Sequence, residues 1–254
     1  MSAHAHAGRF ARIDAVLFDL DGVITPTAEV HMRAWSRLFT PYLQDRGAEP
    51  YTEADYFAHI DGRPRYEGVR ALLDARGITI PDGDPTDPPD AETVCGLGNR
   101  KNDEFSAVLA SEGVSAYPGS VRLVDALVAG GRAVAVVSSS KNAPAVLETA
   151  GVAGRFTVVV DGAVAGERGL AGKPAPDTFV HAAGELGAPV ERTAVVEDAL
   201  SGVAAGRAGH FGLVIGVDRG VGAEALTDAG ADIVVRDLAE LLPALDRTDT
   251  PETR

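Results

Sequence analysis

Four short apolar segments, each followed by polar residues, limit the possible folds of this sequence more than any other feature. They are Ala15–Leu20, Ala133–Val137, Thr193–Val196 and Gly212–Val217. Segments of this length that are apolar on both faces are typical of parallel strands covered by helices. Stretches of the right length for crossover helices are Asn142–Ala150, Pro176–Leu186 and Ala199–Ala208. The alternation predicts an α/β fold with a doubly wound parallel sheet, in which ligands bind beyond the carboxyl ends of the strands.

A helical insertion is predicted between the first strand and the second. The chain of 254 residues suits one large domain or a domain with an insertion, because single cores stop growing at roughly 250–300 residues. Residues 28–115 show no convincing buried strand and three amphipathic helix candidates. These candidates are Glu29–Leu43, Tyr66–Ala75 and Thr93–Glu112. We therefore expect a core domain from residues 1–27 and 116–254, with an all-helical domain from residues 28–115 above the ligand edge of the sheet.

The composition excludes several classes of partner. The chain has 23 Lys and Arg residues against 37 Asp and Glu residues, a formal net charge of −14, which repels a phosphate backbone. Cys95 has no second cysteine for an intramolecular disulfide, and no apolar run has the length of a secretory signal or of a membrane span. We expect a cytoplasmic monomer without nucleic-acid or membrane partners, in which a local group of cations holds any anionic ligand.

Two carboxylates close the first predicted strand, in the stretch Asp19-Leu-Asp21-Gly22. Side chains at positions i and i+2 of a strand point to the same side, so both carboxylates can converge on one small volume. They repel each other unless a cation bridges them or one is protonated. Both arrangements suit phosphoryl transfer, with Asp19 attacking phosphorus and Asp21 moving a proton. A helix cap or a turn accounts for the same pair equally well.

A second acidic pair, Glu197-Asp198, ends the third predicted strand and precedes a predicted helix. Asp198 alone is explained by a role as the helix N-cap. If the first and third strands are neighbours, however, Glu197 and Asp198 join Asp19 in a site made of oxygen ligands, which Mg²⁺ prefers. Two acidic clusters at strand ends favour the metal site over the cap.

Hydroxyl groups and lysines complete a candidate phosphate site. A polar stretch between the second predicted strand and a helix can hold phosphate with its hydroxyls and with the helix N-terminus. It consists of Ser138, Ser139, Ser140, Lys141 and Asn142. Lys173 precedes another helix, and the glycine and prolines around it would fix its direction. A solvated surface lysine is the alternative for Lys173.

The motifs resemble, in order and spacing, those of the haloacid dehalogenase superfamily of phosphotransferases. They are Phe-Asp19-Leu-Asp21-Gly-Val-Ile-Thr25, Val-Ser138-Ser-Ser-Lys141-Asn, Gly-Lys173-Pro-Ala-Pro-Asp and Val-Val-Glu197-Asp198, and together they span nearly the whole chain. Within the superfamily the sequence is similar to the β-phosphoglucomutase family. The stretches that carry this closer similarity are Asp21–Trp35, Gly98–Asp103 and Tyr117–Gly119.

The resemblance implies a Rossmann-like core, a mobile helical cap and an aspartyl-phosphate mechanism. By it, Asp19 is the nucleophile and Asp21 is the general acid and base. Mg²⁺ would be bound by Asp19, the Asp21 carbonyl, Glu197 and Asp198. The implied residues around the phosphorylated sugar are Ser138, Ser139, Ser140, Lys141, Asn142 and Lys173 from the core, and Thr27, His31, Trp35, Gly62, Arg63, Arg65 and Lys101 from the hinge and cap.

Two activities fit these motifs. A mutase that interconverts β-glucose 1-phosphate and glucose 6-phosphate through a bisphosphate needs a second anion site, about a sugar's length from Asp19. Arg65 and Lys101, with Arg63 adjacent, offer that site, although a solvated charged helix face is the alternative for Lys101 and its neighbours. A phosphatase acting on a sugar phosphate or a related small phosphorylated metabolite needs only the first site.

Two stretches differ from the usual pattern of the family. Pro26 stands where relatives commonly have aspartate in the hinge, and Arg63-Pro64 replaces small residues in the specificity loop. Both differences affect the expected identity of the sugar more than the expected phosphoryl-transfer chemistry. A non-catalytic phospho-acceptor module is the alternative from another class, because it also gathers acids, hydroxyls and a lysine at strand ends. Such a module would need only about half of this chain and no helical insertion.

Overall fold

A six-stranded, all-parallel sheet forms the centre of the protein, in a computed structural model that describes residues 9–10 and 12–245. Its strands are β1 (Ala15–Phe18), β2 (Ala133–Val137), β3 (Val158–Val160), β4 (Thr193–Glu197), β5 (Leu213–Val217) and β6 (Ile233–Val235). Their spatial order is β3-β2-β1-β4-β5-β6, so the chain winds outward from β1 in both directions. The predicted doubly wound, Rossmann-like α/β fold is confirmed.

Helices flank the sheet and extend beyond its carboxyl edge. In chain order they are α1 (Thr27–Gln44), α2 (Arg65–Ala75), α3 (Val94–Glu112), α4 (Pro118–Ala129), α5 (Ala143–Thr149), α6 (Gly162–Arg168), α7 (Asp177–Glu185), α8 (Leu200–Ala208), α9 (Ala223–Ala229) and α10 (Leu242–Leu245). A helical segment at Glu53–Asp55 continues into a π-helix at Tyr56–Ile60, and short 3₁₀ turns lie at Ala153–Arg155, Val190–Arg192 and Leu238–Leu241. Within the described residues, none of these helices has the length and apolar content needed to cross a membrane. Residues 1–8, in which no secretory signal was recognised, lie outside the described part.

The outer strands β3 and β6 are absent from the sequence-based prediction of four strands. Each has only three residues, too few for an apolar run to stand out from its surroundings. β1 also ends at Phe18 instead of Leu20. The reason is that the Leu20 carbonyl already accepts hydrogen bonds from the N–H groups of Ile24 and Thr25, which form the turn after the strand.

The register of the central strands brings their carboxyl ends side by side. Phe18 of β1 pairs with Val136 of β2 on one side and with Val196 of β4 on the other. The N–H group of Asp19 then donates to the Val196 carbonyl at 2.9 Å. Polar residues that follow β1, β2 and β4 therefore meet at one point of the sheet edge.

Alternate residues of β1 pack on opposite faces of the sheet. Val16 and Phe18 belong to one hydrophobic cluster, whereas Leu17 belongs to a second cluster that includes Phe179 of α7. These side chains are fully buried. Burial of one such side chain contributes about 1.5–3 kcal/mol, so both helical layers are held firmly against the strands.

The helices between β1 and α4 form a unit with a hydrophobic cluster of its own. This cluster includes Trp35 and Phe39 of α1 and Leu72 of α2. At the base of the unit, Val30 of α1 and Phe105 of α3 belong to the cluster of the sheet, which joins the two parts. The three helices predicted within residues 28–115 are thus present as α1, α2 and α3.

Candidate active site

Three carboxylates meet beyond the ends of β1 and β4. Asp19 follows β1, Glu197 ends β4 and Asp198 follows it, and one oxygen of each lies within 4.8 Å of the others. Burial raises the pKa of Asp19 and of Asp198 well above the ordinary range, and the neighbouring negative charges contribute to the increase. The N-cap of α8 is Ala199 and no side chain caps the helix, so the N-cap interpretation of Asp198 is wrong.

Lys173 supplies a cation to this cluster. Its side chain is 1% exposed, with Nζ at 2.5 Å from Asp19 Oδ1 and at 2.5 Å from Glu197 Oε1. Nζ also donates to the Val137 carbonyl at 3.2 Å. Burial alone would lower the pKa of Lys173, but the two carboxylates raise it above its ordinary value. Lys173 is therefore a buried permanent charge and not the solvated surface lysine of the alternative.

Glu197 is held at both of its oxygens. Oε1 faces Lys173, and Oε2 accepts hydrogen bonds from the N–H groups of Asp198 and Ala199 at 3.1 and 3.2 Å. A Cβ atom added to Gly202 of α8 would lie 1.9 Å from Oε1, so the carboxylate fits only against glycine. Glu197 thereby orients both Lys173 and the backbone that carries Asp198.

The other oxygens of the cluster fit a hard divalent cation. Oδ1 of Asp19 faces Lys173, which leaves Oδ2 for a second cation. Gly22 has a φ of +83°, and a Cβ atom there would lie 1.8 Å from Asp198 Oδ2. The backbone after Asp21 therefore approaches Asp198 as closely as glycine allows. Buried carboxylates beside backbone carbonyl groups are the donor set that Mg²⁺ prefers.

Asp21 lies beside the cluster and has three polar neighbours. Thr27 donates a hydrogen bond to Oδ1, and His31 Nε2 lies 3.4 Å from the same oxygen. Ser138 Oγ donates to Oδ2 at 3.4 Å. Burial opposes the ionisation of Asp21, but His31, followed by Thr27 and Lys101, lowers its pKa to about 2. Asp21 is therefore an anion with a fixed orientation, able to accept a proton.

Lys101 of α3 is buried and bonded to His31. Its Nζ shares a hydrogen bond with His31 Nδ1 and lies 5.1 Å from the ring centroid of Trp35 and 5.0 Å from that of Phe105. Burial lowers the pKa of Lys101 to about 7, and the charge of Arg65 acts in the same direction. An anion bound nearby would favour the charged form of this lysine.

A cavity of about 690 Å³, including its open mouth, lies between the sheet edge and the helical unit. The predicted sugar-phosphate residues that line it are His31, Trp35, Gly62, Arg63, Arg65, Lys101, Ser139, Ser140, Lys141 and Asn142. The other predicted residues lie behind its wall, where Thr27 and Ser138 contact Asp21 and Lys173 contacts Asp19. The cavity is thus formed by residues from both parts of the protein.

Five lining residues were not among the site residues predicted from the sequence. They are Tyr56, Ile60, Asp61, Asn102 and Ala199. Adjacency to Gly62, Lys101 and Asp198 is the signal that could have found three of them. Tyr56 and Ile60 have no such signal, because they enter the cavity through the π-helix.

The helical unit brings positive charge to the cavity. Arg65, at the start of α2, donates to Asn102 Oδ1 at 2.8 Å and to Asn99 Oδ1 at 3.3 Å, which orients its guanidinium group. Arg63 and Lys101 line the same cavity. The cations predicted for a second anion site therefore lie together, on different elements from Lys173.

Three hydrogen bonds, the closing bonds, join the helical unit to the residues that follow β2 and β4. They are Ser139 Oγ to the Gly62 carbonyl at 2.8 Å, Ser201 Oγ to the Asp61 carbonyl at 3.1 Å, and Asn142 Nδ2 to Asn102 Oδ1 at 2.8 Å. Because they lie around the cavity, they hold the helical unit over it.

We expect Gly62→Ala to disturb this closure and to lower kcat/KM for phosphorylated sugars, the predicted substrates, by about 10- to 100-fold. Gly62 has a φ of +70°, and a Cβ atom would lie 2.2 Å from Ser201 Oγ and 3.0 Å from Ala199 Cβ. The side chain therefore adds a clash between the two parts to the backbone strain. Steady-state kinetics measure the loss.

Gly47→Ala is the matched control. Gly47 has a similar φ of +62°, but nothing lies within 4 Å of an added Cβ atom. We expect the same kind of backbone strain, about 1 kcal/mol of stability, without the loss of activity. Equal losses of kcat/KM in both variants would show that strain, and not the contact between Gly62 and Ser201, is responsible.

Known proteins resemble this chain in sequence and in fold. A model of the haloacid dehalogenase-like hydrolase family matches residues 13–210. The β-phosphoglucomutase of Mycobacterium tuberculosis is 50% identical over 241 residues, which cover 91% of this chain and 92% of that protein. Protein CbbY of Cereibacter sphaeroides is 31% identical over 243 residues, covering 93% of this chain and 98% of that protein. The crystal structure of CbbY from Rhodobacter sphaeroides in complex with phosphate is similar with a TM-score of 0.67 and 26% identity, over 92% of this chain and 99% of the other.

Proposed function

Because this chain belongs to the haloacid dehalogenase-like hydrolase family, we propose that it is a phosphosugar mutase that interconverts β-glucose 1-phosphate and glucose 6-phosphate. One observation carries this choice: two groups of cations lie at the cavity, Lys173 behind its wall beside Asp19 and, in the lining on the helical unit, Arg65 with Lys101. A sugar bisphosphate has two anionic ends to bind, whereas hydrolysis of a monoester requires one. The 50% identity to a β-phosphoglucomutase supports the same assignment.

In the proposed reaction, Asp19 and Asp21 share the chemistry. A sugar hydroxyl attacks the phosphorus of an aspartyl phosphate on Asp19, Asp21 accepts the hydroxyl proton, and the bond between phosphorus and Asp19 breaks. The resulting bisphosphate presents its other end, and Asp19 attacks that phosphorus while Asp21 returns the proton to the departing sugar oxygen. Asp21 can begin as the base because its pKa of about 2 keeps it ionised.

We propose Mg²⁺ as the cofactor, held by Asp19, Glu197, Asp198 and the Asp21 carbonyl. The support is that burial and neighbouring negative charges raise the pKa of Asp19 and of Asp198, together with the close approach of Gly22 to Asp198. Mg²⁺ would neutralise this charge and polarise the phosphoryl oxygens. Lys173 already faces Glu197 and one oxygen of Asp19, so its positive charge neutralises part of the negative charge of the cluster.

We propose that the helical unit is the mobile cap of the family. The division would be that predicted from the sequence, with residues 28–115 as the cap and residues 1–27 and 116–254 as the core. The separate hydrophobic cluster of the unit and the polar closing bonds support it. Lys173 and the stretch after β2 would then bind the transferring phosphoryl group, and the cations of the cap would bind the other one.

We further propose that the protein works as a cytoplasmic monomer on a small phosphorylated sugar, without nucleic-acid or membrane partners. Its net charge of −14 disfavours association with polyanions. Cys95 is buried and unpaired, as is usual for proteins of reducing compartments.

A product assay tests the proposed function. The protein is given β-glucose 1-phosphate, Mg²⁺ and a trace of glucose 1,6-bisphosphate, and both glucose 6-phosphate and inorganic phosphate are measured. We expect glucose 6-phosphate as the main product. Inorganic phosphate as the sole product would overturn the mutase and identify a phosphatase, the alternative that the hydrolase description of the family favours.

We expect the binding of glucose 6-phosphate at pH 8 to take up a proton at Lys101. With a pKa of about 7, most of this lysine is neutral at pH 8 until a phosphate group favours its charged form. Below pH 7 the lysine is already charged, so its titration leaves the affinity unchanged. Above pH 7 the affinity falls by up to about tenfold per pH unit, because the proton must first be gained. Calorimetry in buffers of different ionisation enthalpy measures the uptake, in the Asp19→Asn variant to prevent turnover.

Lys101→Met in the same background is the control. The second pKa of a phosphate ester is about 6, so the ligand itself takes up almost no proton at pH 8. Uptake that persists in Lys101→Met would assign the proton to another group, such as His31. Binding heats that are independent of the buffer in the parent would contradict the prediction directly.

A further inference from the structure

Asp61 is a carboxylate of the cavity lining that the proposed reaction does not use. It follows the π-helix Tyr56–Ile60, and its N–H group donates to the Tyr56 carbonyl at 2.9 Å. Such π-helical turns are rare and are found frequently at functional sites. Here the turn places both Tyr56 and Asp61 in the lining of the cavity.

The position of Asp61 is fixed by contacts on both parts of the protein. Its carbonyl accepts a hydrogen bond from Ser201 Oγ at 3.1 Å, and the next carbonyl, that of Gly62, accepts one from Ser139 Oγ at 2.8 Å. The Tyr56 hydroxyl group interacts with the Asp61 carboxylate and opposes the rise of its pKa. Backbone and side chain are therefore both held, which is what a residue that discriminates between ligands requires.

The electrostatic surroundings of Asp61 disfavour an anion beside it. Burial raises its pKa to about 7, and the negative charges of Glu197 and Asp21 act in the same direction. The interaction with Tyr56 and the charge of Lys173 act against this increase. A phosphate group next to Asp61 would add one more negative charge, whereas an uncharged hydroxyl group would not.

A phosphorylated sugar has such hydroxyl groups between its charged ends. In the proposed function its phosphoryl groups are bound by Lys173 and by the cap cations Arg65 and Lys101. The ring hydroxyls then lie in the part of the cavity between these cations, where burial without a partner is costly. A carboxylate has two acceptor oxygens with about four lone-pair sites, and a hydroxyl group such as that of Tyr56 can occupy only one of them.

We propose that Asp61, held by Tyr56, is a specificity-determining residue that accepts hydrogen bonds from ring hydroxyl groups of the phosphorylated sugar. The inference rests on the proposed function in one respect only, that the ligand is a phosphorylated sugar. A mutase and a phosphatase would use Asp61 in the same way. The contact selects sugar phosphates over phosphoesters that lack these hydroxyls, because a buried acceptor without its donor penalises the wrong ligand.

The test compares Asp61→Asn with the parent protein on two substrates. β-Glucose 1-phosphate has the ring hydroxyls, whereas p-nitrophenyl phosphate lacks them. Asparagine keeps the size of the side chain and an acceptor for Tyr56 but removes the charge. We expect kcat/KM for β-glucose 1-phosphate to fall by about 30-fold, and by at least about fivefold more than kcat/KM for p-nitrophenyl phosphate.

Monodeoxy analogues of β-glucose 1-phosphate locate the contact. On the analogue that lacks the hydroxyl bound by Asp61, the loss caused by Asp61→Asn should shrink to about threefold or less, because the parent has already lost the same hydrogen bond. A purely structural role of Asp61 would give the same loss on every analogue. Tyr56→Phe should show the same ranking of substrates with smaller losses, because the carboxylate remains but is less firmly oriented.

Glu53→Gln is the matched control. It removes one negative charge from the same helical segment, at an exposed side chain outside the cavity lining. We expect its kinetic constants to equal those of the parent on both substrates. A loss like that of Asp61→Asn would show that the charge of the segment matters, and not the contact with the sugar.

The outcomes separate this inference from the proposed function. Equal losses on both substrates, or no loss, would overturn the role of Asp61 and leave the mutase standing. If the parent only hydrolyses β-glucose 1-phosphate, the mutase is overturned, and the ratio of losses is measured by phosphate release instead. A parent that neither binds nor converts a hexose phosphate would overturn both.

Discussion

Asp19→Asn will abolish the formation of glucose 6-phosphate and the hydrolysis of p-nitrophenyl phosphate, with a loss in kcat of at least about 10⁴-fold. Asp19 stands at the end of the central strand β1, with Oδ1 at 2.5 Å from Lys173. An amide in its place cannot form the aspartyl phosphate through which both reactions pass in the proposed function. Steady-state rates on both substrates measure the loss, and mass spectrometry of the quenched protein should find phosphorylated enzyme in the parent alone.

The Asp19→Asn variant should remain folded, because the amide has the same shape and Lys173 keeps Glu197 as a partner at 2.5 Å. Asp14→Asn is the matched control. Asp14 immediately precedes β1, is exposed, and pairs with Arg192 at the surface. Its variant should retain full activity. Turnover by Asp19→Asn above about 1% of the parent rate would rule out a mechanism through aspartyl phosphate.

Lys173→Met should lower the free energy of unfolding by about 3–5 kcal/mol and remove activity. Methionine fills the space of the lysine stem but leaves Asp19 and Glu197 buried without their cation, and an unpaired buried charge is strongly destabilising. Chemical denaturation at pH 7 measures the change. The deficit should shrink as the pH falls through the raised pKa of Asp19, because protonated carboxyl groups no longer need a cation.

The control for Lys173→Met removes a cation from an exposed ion pair. Arg33 lies 3.2 Å from Glu112, with side chains that are 51% and 56% exposed. Arg33→Met should change the free energy of unfolding by less than about 1 kcal/mol, because solvent screens such pairs. If both variants lost similar free energy of unfolding, burial would not be the reason why the pair of Lys173 and Asp19 stabilises the protein.

The strands of the sheet were predictable from the sequence where their burial on both faces requires a run of apolar residues. The inner strands β1, β2, β4 and β5 are apolar on both faces, and a run of four or five such residues is visible in the sequence. The outer strands β3 and β6 have three residues each and give no comparable run. The hydrophobic pattern of the sequence therefore predicts the inner strands of the sheet better than its outer strands.

The core half of the site was predictable for a related reason. Asp19, Ser138 and Glu197 stand at the carboxyl ends of neighbouring strands, so the general geometry of parallel sheets brings them together. The half of the site on the helical unit depends on backbone geometry that leaves no periodic pattern in the sequence. Tyr56 and Asp61 reach the cavity through a π-helical turn, and nothing in the residues around them distinguishes that turn from an α-helix.

Long-range contacts to the backbone were also beyond sequence reasoning. Arg219 Nε donates to the Gly22 carbonyl at 2.7 Å, across a separation of 197 residues. Its guanidinium group lies 4.0 Å from the ring centroid of Tyr117, at the second connection to the helical unit. No local motif marks Arg219, because its partners are backbone carbonyl groups and a ring face that only the folded chain brings near it.

Two of the closing bonds end on backbone carbonyls, those of Asp61 and Gly62. A carbonyl group is the same whatever side chain its residue carries, so these bonds place no demand on the side chains at positions 61 and 63. Only Gly62, with its close approach to Ser201, is constrained. The side chains at positions 61 and 63 can therefore change while the bonds that enclose the site are kept. A library randomised at positions 61 and 63, with Gly62 kept, is where new selectivities should appear first.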